Sequence, residues 1–316
     1  MRYQETIHIV CAGDDNFALP MAVMLYSLFR NASKACRYKL YIISDGIGPG
    51  KKKRLAHVIR NTQREVQVVW KEAINHLQQV KNFVVKERYP RTTYLRLFIP
   101  EFVDKGLEKC IYLDGDMLVE YDIADLWNIA MSDNIFLAVQ DFLNTKVSSE
   151  GAIPHTYQQL GLNPDTPFFN GGMYVVNLAR YIENQIAEKA CAYLEQFPQY
   201  INFADQDALN AAVLGRWGLL DPRWNVQVIT INDFGRDTPI PEWQLAAHRE
   251  DMLRNPFCLH FNGHNKPWNL KGNPVFVSRF LAYLKSSGWF TKFEYMEWYL
   301  KTWRKHVRRN FSPFRL

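Results

Sequence analysis

Short apolar runs recur along most of the chain and are separated by turn residues and helical patterns. The runs predict buried strands at 7–12, 39–43, 66–70, 110–113, 135–139, 173–176 and 256–259. Pro20 stands in the first turn of one expected helix, and further helices are expected near 50–61 and over 92–102. Strands and helices that alternate in this way are typical of an α/β fold with a mostly parallel sheet.

Two longer segments, 143–167 and 222–255, interrupt this alternation. They are rich in Pro, Asn, Asp and Trp and show no clean periodicity. Irregular segments of this length inside a compact domain are usually functional loops. Since no linker or internal repeat is recognisable before residue 270, we expect residues 1–270 to form one domain.

Residues 271–316 differ from the domain before them. Apolar side chains recur there at helical spacing, at Phe290, Phe293, Met296, Leu300, Trp303 and Val307. Seven Lys and Arg against two Glu leave +5 on residues 291–316, so only +1 of the formal charge of +6 falls on the other 290 residues. A basic amphipathic helix is suited to lie on an anionic membrane. A helix packed on the domain and a nucleic-acid-binding tail are the alternatives.

The amino-acid composition limits the class of protein to which the chain can belong and indicates its cellular compartment. With 47% hydrophobic and 14% aromatic residues, the chain is not disordered as a whole. Five cysteines without a CxxC pair indicate a reducing compartment, and Cys11, Cys110 and Cys258 are expected to be buried, inert thiols. No run approaches the roughly 20 apolar residues that span a bilayer, and the N-terminus lacks an apolar signal core. We therefore expect a cytoplasmic protein that is not integral to the membrane.

The strongest local signal is a pair of carboxylates, Asp114 and Asp116, that interrupts an apolar strand. Residues i and i+2 of an extended chain face the same side, so the two carboxylates are expected to converge. Converging carboxylates repel unless a cation neutralises them, and Mg²⁺ and Mn²⁺ prefer oxygen ligands. The pattern therefore favours a metal site. The alternative is a turn in which the Asp-Gly pair closes a β-hairpin.

Three further polar clusters strengthen the metal interpretation. One follows the first strand at 13–16, and by itself it would be read as a helix N-cap. Another, at 204–210, begins a helix, so one of its residues is expected to be the N-cap, which would account for one of its two acids but not for the whole cluster. The last, at 259–268, places His260 before a Gly and a Lys in a loop that suits an anionic group. A metal ligand beside phosphate-binding groups indicates a site for a metal and a diphosphate.

Together these segments resemble glycosyltransferase family 8, the retaining enzymes of GT-A fold that include bacterial lipopolysaccharide galactosyl- and glucosyltransferases. The resemblance runs from about residue 7 to residue 270. The motifs that carry it, in the family's order, are Ala12-Gly-Asp-Asp-Asn16, Thr92-Thr-Tyr-Leu-Arg96-Leu, Tyr112-Leu-Asp-Gly-Asp116, Phe169-Asn-Gly-Gly172, Asp205-Gln-Asp207 and His260-Phe-Asn-Gly263 with Lys266. Where the commonest bacterial members have Ala after Phe-Asn, this chain has Gly171 and Gly172. The resemblance implies a Rossmann-like GT-A fold with a mixed, mostly parallel central sheet.

The resemblance also implies a role for each matching residue. The ligands of a bound Mn²⁺ or Mg²⁺ would be Asp114, Asp116 and His260. The contacts to the nucleotide and diphosphate of a UDP-sugar would come from Ala12, Asp14, Asn16, Gly115, Gly263 and Lys266. The residues that line the donor sugar and act in its transfer would be Arg96, Asp141, Asn170, Asp205 and Gln206.

The implied reaction moves glucose or galactose from the UDP-sugar with retention of the anomeric configuration. Negative charge develops on the β-phosphate as UDP leaves, where a metal and Lys266 would stabilise it. Gln206 is a poor nucleophile, which favours front-face attack by the acceptor, while Asp205 stays open as a nucleophile. An exposed charge for Arg96 and a plain helix start for Gln206 are the structural alternatives.

The implied acceptor is a lipid-linked saccharide, such as the lipopolysaccharide core, at the inner face of the cell membrane. The basic segment 271–316 would bring the enzyme to that anionic surface as a peripheral protein. A protein or a soluble glycan is the first alternative acceptor. A non-catalytic protein that binds nucleotide sugars and a nucleotidyltransferase are further alternatives, and no nucleic-acid partner is expected.

Overall fold

The computed structural model describes residues 5–85, 90–229 and 250–310. The strands described there are β1 (Thr6–Asp14), β2 (Arg37–Asp45), β3 (Val66–Glu72), β4 (Lys109–Leu113), β5 (Met117–Val119), β6 (Phe136–Gln140), β7 (Phe169–Asn177), β8 (Trp217–Leu219), β9 (Val226–Gln227) and β10 (Cys258–His260). Seven form one sheet in the order β3-β2-β1-β4-β7-β6-β8, and β5, β10 and β9 form a second sheet. Only β7 of the large sheet runs antiparallel to its neighbours, β4 and β6. The sheet is mixed and mostly parallel, as predicted.

Helices cover both faces of the large sheet. Within the described ranges, the α-helices with both ends described are α1 (Ala18–Asn31), α2 (Pro49–Arg60), α3 (Ile74–Gln79), α4 (Ile99–Phe102), α5 (Ile123–Trp127), α6 (Leu178–Glu183), α7 (Ile186–Gln196), α8 (Asp205–Val213), α9 (Pro274–Ser287) and α10 (Lys292–Asn310). Short 3₁₀ helices are Arg91–Phe98, Pro198–Tyr200, Pro222–Asn225 and Pro267–Asn269. Every strand predicted from the apolar runs overlaps an observed strand.

Two apolar cores lie on the two faces of the sheet, and β1 contributes to both. Ile9 and Cys11 point into the core that contains α1, α2 and α9, whereas Val10 points into the core that contains α6, α7 and α8. Cys11, Cys110 and Cys258 are buried, as predicted, and burial raises the pKa of the Cys11 thiol to about 12. The sheet is therefore covered on both faces, and its open edge at the strand ends is left for a site.

Residues 92–102 are helical, as predicted, but most of them do not form an α-helix. Arg91–Phe98 is a 3₁₀ helix, and α4 begins only at Ile99. Pro100 has no N–H to donate to the carbonyl of Arg96, and its ring would crowd that carbonyl in an α-helix. Side chains three residues apart lie above one another in a 3₁₀ helix. Thr93 and Arg96 therefore point to the same side, toward α8.

The two C-terminal helices relate differently to the rest of the molecule. Helix α9 buries Phe276, Phe280 and Leu284 in the core that also contains α1. Helix α10 packs on that core through Tyr295 and Trp298. A stripe along α10 stays exposed, formed by Phe293, Met296, Leu300 and Trp303. The amphipathic C-terminal helix is thus confirmed. None of the helices in the described ranges is both long and apolar enough to cross a bilayer.

Candidate active site

Asp114 and Asp116 lie in the turn that joins β4 to β5. The predicted continuous strand is wrong, because β4 belongs to the large sheet and β5 to the small one. The hairpin alternative is also wrong, since β4 pairs with β1 and β7 while β5 pairs with β10. The Asp114 amide donates to the Gly172 carbonyl (2.8 Å), and the Phe261 amide donates to the Asp116 carbonyl (2.9 Å). These backbone bonds to β7 and to the residue after β10 hold both carboxylates at one place.

The carboxylates of Asp114 and Asp116 and the imidazole of His260 form a compact cluster. One possible ligand atom from each residue lies within 4.8 Å of the others. His260 Nε2 is 3.5 Å from Asp116 Oδ1 and 4.0 Å from Asp114 Oδ2. Two carboxylate oxygens and one imidazole nitrogen can hold a divalent metal ion. The structure therefore brings together all three predicted metal ligands.

Asn225 fixes which nitrogen of His260 faces this cluster. Asn225 Nδ2 donates to Asn170 Oδ1 (2.9 Å), so Asn225 Oδ1 is the atom that accepts from His260 Nδ1 (3.0 Å). A proton on Nδ1 leaves the lone pair on Nε2, which faces Asp116. Sequence analysis does not single out Asn225. Its only signal is its place in the irregular segment 222–255.

Two glycines shape the surroundings of the cluster. A Cβ at Gly172 would lie 2.3 Å from His260 Cε1, whereas a Cβ at Gly171 would meet Gln206 Cβ at an ordinary 3.4 Å. Gly172 is therefore required by the imidazole, and Gly171 is not. Gly263, in the loop after β10, has a φ of 81°, a backbone conformation that favours glycine.

Lys266 ties the loop after β10 to the same cluster. Its ammonium lies 2.6 Å from Asp116 Oδ2 and donates to the Phe261 carbonyl (2.6 Å). Burial alone would raise the pKa of Asp116, but Lys266 and His260 outweigh burial and hold that pKa below its ordinary value. Burial prevails at Asp114 and, with the charge of Asp116, raises its pKa despite Arg96. An added cation would relieve the repulsion between the two carboxylates.

Arg96 is a buried cation, so its interpretation as an exposed helix charge is wrong. Arg96 is 7% exposed, and its guanidinium forms ion pairs with Asp114 (2.7 Å) and Asp205 (2.9 Å). It also donates to the Gly171 carbonyl (2.5 Å) and lies 4.6 Å from the ring centroid of Tyr112. Burial disfavours the charge, but the two carboxylates outweigh it and raise the pKa of Arg96 well above its usual value. Arg96 thereby connects the metal cluster to α8.

Asp205 is the first residue of α8, and both of its carboxylate oxygens are engaged. Oδ1 accepts from the Thr93 hydroxyl (2.5 Å), and Oδ2 pairs with Arg96. Burial raises the pKa of Asp205 to about 6, against the effect of Arg96. The N-cap of α8 is Ala204 (φ 53°), which belongs to the predicted cluster, but neither acid of that cluster is the cap. The Asp205 carboxylate is turned toward Arg96 instead.

Asp141, Asn170 and Gln206 form a buried, hydrogen-bonded group. Asp141 Oδ2 accepts from Asn170 Nδ2 (3.0 Å) and from Gln206 Nε2 (3.2 Å). Gln206 Oε1 accepts from the Gly171 amide (2.9 Å). Both ends of the Gln206 carboxamide are therefore fixed in place, which a plain helix start does not require. Since Asn225 also donates to Asn170, this group is continuous with the support of the metal cluster.

The residues predicted to contact the nucleotide lie around the end of β1. Ala12 and Asp14 belong to β1, which pairs with β4 just before the turn that holds the metal cluster. Asp14 accepts from the Phe17 amide (2.8 Å), but the N-cap of α1 is Phe17 and no side chain of the cluster at 13–16 caps the helix, so the helix-cap alternative is wrong. Asn16 is exposed. A Cβ at Gly115 would lie 2.9 Å from the Phe17 ring, so glycine lets the turn approach α1 closely.

Thr93 and Tyr112 complete the site, although sequence analysis assigns them no role. The Tyr112 hydroxyl donates to Asp114 Oδ1 (2.8 Å), and Thr93 donates to Asp205. Both residues lie inside the motifs that point to the site, three residues before Arg96 and two before Asp114. The signal that could have found them is therefore their spacing within those motifs.

Comparison with known proteins connects this geometry to a family. The profile of glycosyl transferase family 8 matches residues 8–272. General stress protein A of Bacillus subtilis (strain 168) is 28% identical over 92% of this chain and 97% of its own length. Lipopolysaccharide 1,2-glucosyltransferase of Escherichia coli (strain K12) is 22% identical over 90% of this chain and 79% of its own length.

A solved structure with a similar fold is that of the galactosyltransferase LgtC in complex with donor and acceptor sugar analogues. It superposes with a TM-score of 0.73 at 23% identity and covers 89% of this chain and 96% of LgtC. The similarity confirms the GT-A fold expected from the sequence.

Proposed function

The chain belongs to glycosyl transferase family 8, and on that premise we propose that it transfers glucose or galactose from a UDP-sugar to a saccharide, with retention of the anomeric configuration. The family resemblance of the sequence motifs is confirmed, and the chain is a glycosyltransferase. The donor hexose, the acceptor and the stereochemistry belong to the proposal. So do the domain limits, a catalytic domain at 1–270 and a membrane-associating segment at 271–316.

The convergence of Asp114, Asp116, His260 and Lys266 carries this proposal. The first three residues would hold Mn²⁺ or Mg²⁺ through two carboxylate oxygens and Nε2 of the imidazole. Such an ion, when bound, supplies Lewis-acid stabilisation of the negative charge on the departing UDP. Lys266 would add an ammonium to the same diphosphate, and it must leave Asp116 to do so.

We assign the nucleotide to the end of β1. Ala12, Asp14 and Asn16 would contact the uracil and the ribose, at the edge where open α/β sheets bind their ligands. Gly115 and Gly263 would contact the diphosphate through their backbone, since Gly115 lies between the two aspartates of the metal cluster and Gly263 follows His260 by three residues.

We assign the donor sugar to the buried group around Gln206. Asp141 and the Gly171 amide hold the Gln206 carboxamide. Beside this group, the Arg96 guanidinium forms ion pairs with Asp114 and Asp205. Both Asp205 oxygens are engaged and Gln206 is a weak nucleophile, which supports front-face attack by the acceptor over a double displacement. Asn170 would share the sugar contact with Asp141.

The direct test is a panel of UDP-sugars with Mn²⁺. UDP release is measured with and without a saccharide acceptor, and the configuration of the new glycosidic bond is read by proton NMR. We expect turnover with UDP-glucose or UDP-galactose, an α-configured product, and loss of turnover in EDTA. An inverted product contradicts retention. Binding of UDP-sugars without any UDP release in either condition would instead identify a non-catalytic binding protein.

A matched pair of variants ties that activity to the proposed site. Asp116→Asn keeps the shape of the side chain but removes a charged metal ligand, so Mn²⁺ affinity and turnover are both expected to fall. Asp133→Asn makes the same change at a side chain that is 98% exposed and is expected to leave both unchanged. Full activity of Asp116→Asn after EDTA treatment contradicts the metal site.

We propose that the acceptor is lipid-linked, as in lipopolysaccharide core or another glycolipid, and that α10 holds the enzyme at the inner face of the cell membrane. The exposed stripe that contains Phe293 and Trp303 supports this location, because an apolar stripe beside basic residues suits an anionic surface. A protein or soluble glycan acceptor would not need this surface.

Sedimentation with anionic vesicles tests the membrane proposal. Phe293→Gln with Trp303→Gln is expected to reduce vesicle binding without loss of thermal stability, since both side chains are exposed. Ile182→Gln, at a residue that is 62% exposed on α6, is the control and is expected to bind like the wild type. Equal vesicle binding by the double variant contradicts the assignment to α10.

A further inference from the structure

A cleft of about 390 Å³ lies between the start of α1, the 3₁₀ helix at Pro267–Asn269 and α10. We call it the lysine cleft. Its chemistry is set by Asn16, Trp268, Lys271, Trp298, Lys301 and Lys305, which line it. The volume is in the range of small-molecule sites, about 300–1,000 Å³. The cleft is therefore larger than a free inorganic anion requires.

The charge of the cleft is of one sign. Lys301 and Lys305 are four residues apart on α10, so they share one side of that helix, and Lys271 comes from the loop before α9. Among the described residues that line the cleft, none is acidic. Within the described ranges, none of these three lysines forms an ion pair, unlike Lys266, which is held by Asp116. The cleft thus presents uncompensated positive charge to an anion.

The aromatic side chains of the cleft are held by neighbouring rings. Trp268 packs edge-on against Phe17 at 5.7 Å between ring centroids, and Trp298 packs against Phe290 at 5.7 Å. Indole rings that are fixed in this way offer apolar surface to a ligand at little cost in side-chain entropy. Lysines for a phosphate together with aromatic surface for the C–H faces of a sugar ring match a phosphorylated saccharide.

The position of the cleft links it to the donor site and to the membrane. Asn16 belongs to the proposed nucleotide contacts, and Trp268 follows Lys266 by two residues. The opposite side of α10 carries the exposed apolar stripe. A saccharide that rises from a lipid anchor would pass α10 on its way to the donor site. We propose that the lysine cleft binds a phosphorylated sugar of the acceptor, away from the hydroxyl that reacts. This inference rests on the proposed transfer to a glycolipid.

The test measures binding of glucose 6-phosphate by calorimetry, with UDP and Mn²⁺ at saturation to fill the donor site. Glucose and inorganic phosphate are the two comparison ligands. We expect each of them to bind at least about tenfold more weakly than glucose 6-phosphate, because each makes only half of the contacts. Equal affinity for inorganic phosphate would show an anion site without sugar recognition. That result, or no binding at all, would overturn the proposal.

Charge-matched variants locate the binding. The double variant Lys301→Gln with Lys305→Gln is expected to bind glucose 6-phosphate about tenfold more weakly than the wild type. Lys271→Gln, on the other wall of the cleft, is expected to weaken this binding several-fold. Lys292→Gln with Arg304→Gln removes the same charge from exposed positions of α10 outside the cleft and is expected to change affinity less than twofold. Equal losses in the two double variants would mean diffuse attraction and overturn the proposal. Melting temperatures confirm that each variant is folded.

Hydrolysis of the UDP-sugar without acceptor separates the two proposals. The lysine-cleft variants are expected to keep wild-type hydrolysis, since none of the three lysines belongs to the donor site. If the wild type hydrolyses a UDP-sugar but does not bind glucose 6-phosphate, the proposed function is supported and the proposal for the lysine cleft is contradicted. If the wild type binds glucose 6-phosphate but transfers no hexose, the proposed function is contradicted.

Discussion

Two charged regions of the molecule, the buried centre around Arg96 and the surface of α10, hold their charges in opposite ways. At the centre, Arg96 and Lys266 are each paired with carboxylates at 2.6–2.9 Å. On α10, Lys292 and Arg304 have no ion-pair partner in the described ranges and are exposed. Burial makes each central charge dependent on a specific partner, whereas exposed charges act together and are screened by salt.

The same comparison explains why each region suits its proposed task. Charge in a water-poor site acts strongly on a reacting group, because there is little solvent to screen it. Charge on an exposed helix attracts a surface over a longer range and does not require a fixed geometry. The charges that need a defined geometry therefore lie at the strand ends, and the exposed positive charges that act over a longer range lie on the last helix.

The largest expected effect is the loss of Arg96. Arg96→Met leaves the buried Asp114 and Asp205 without their shared cation, and removing one partner of a buried ion pair costs about 3–5 kcal/mol. Denaturant unfolding measures the loss. Arg304→Met on α10 is the matched control and is expected to change the free energy of unfolding by less than about 0.5 kcal/mol. Similar effects of the two substitutions would contradict the contrast between the regions.

The next effect concerns the space beside residue 172 that the imidazole of His260 occupies. A side chain at residue 172 collides with the imidazole, so Gly172→Ala is expected to weaken Mn²⁺ binding by about 10–100-fold, as other disturbed ligand supports do. Titration of Mn²⁺ by electron paramagnetic resonance measures the affinity without an activity assay. Gly171→Ala is the control, since its Cβ would meet only an ordinary contact at 3.4 Å. Wild-type Mn²⁺ affinity in Gly172→Ala would show that His260 is not a ligand.

An effect of similar size is the pH dependence that Asp205 gives to the metal-free protein. Its pKa of about 6 in the folded state lies above the value of about 4 in an unfolded chain. The stability that this carboxyl contributes is therefore fully present below about pH 4 and is lost as the pH rises through about 6. Two pKa units correspond to roughly 3 kcal/mol.

Asp205→Asn removes this titration and gives the measurable outcome. Its stability relative to the wild type is expected to improve by about 2–3 kcal/mol between pH 4 and pH 7. Unfolding by denaturant at several pH values measures the difference. Asp133→Asn, at an exposed surface pair, is expected to show no such change over the same range. A relative stability of Asp205→Asn that is flat with pH would contradict the burial effect.

The smallest effect is expected on α10. Lys292→Gln removes one exposed charge, which is worth about 1 kcal/mol of attraction to an anionic membrane, or roughly fivefold in vesicle affinity. The free energy of unfolding is expected to stay within about 0.5 kcal/mol of the wild type. The loss in affinity should shrink as salt is raised, because the attraction is screened. A salt-independent loss would indicate a specific contact and would weaken the contrast with the buried centre.

Local pattern predicted the elements and the kinds of residue at the site. The apolar runs of β1 and β4 mark them as buried strands, and Asp114 follows β4 while His260 ends β10. Pattern failed where a distant contact decided the outcome. One alternative for Arg96 was an exposed helix charge, but Asp205, more than one hundred residues later in the chain, pairs with it in the interior.

By itself, the sequence determined the alternation of strands and helices, the family and the concentration of positive charge in the last helix, because each of these depends on neighbouring residues or on counting. The tertiary structure decided which side chains meet. It paired Asn225 with His260 and buried Arg96 between two carboxylates. It also placed the His260 imidazole where any side chain at residue 172 would collide with it. These contacts join segments far apart in the chain, and their energies depend on burial, which only the folded molecule establishes.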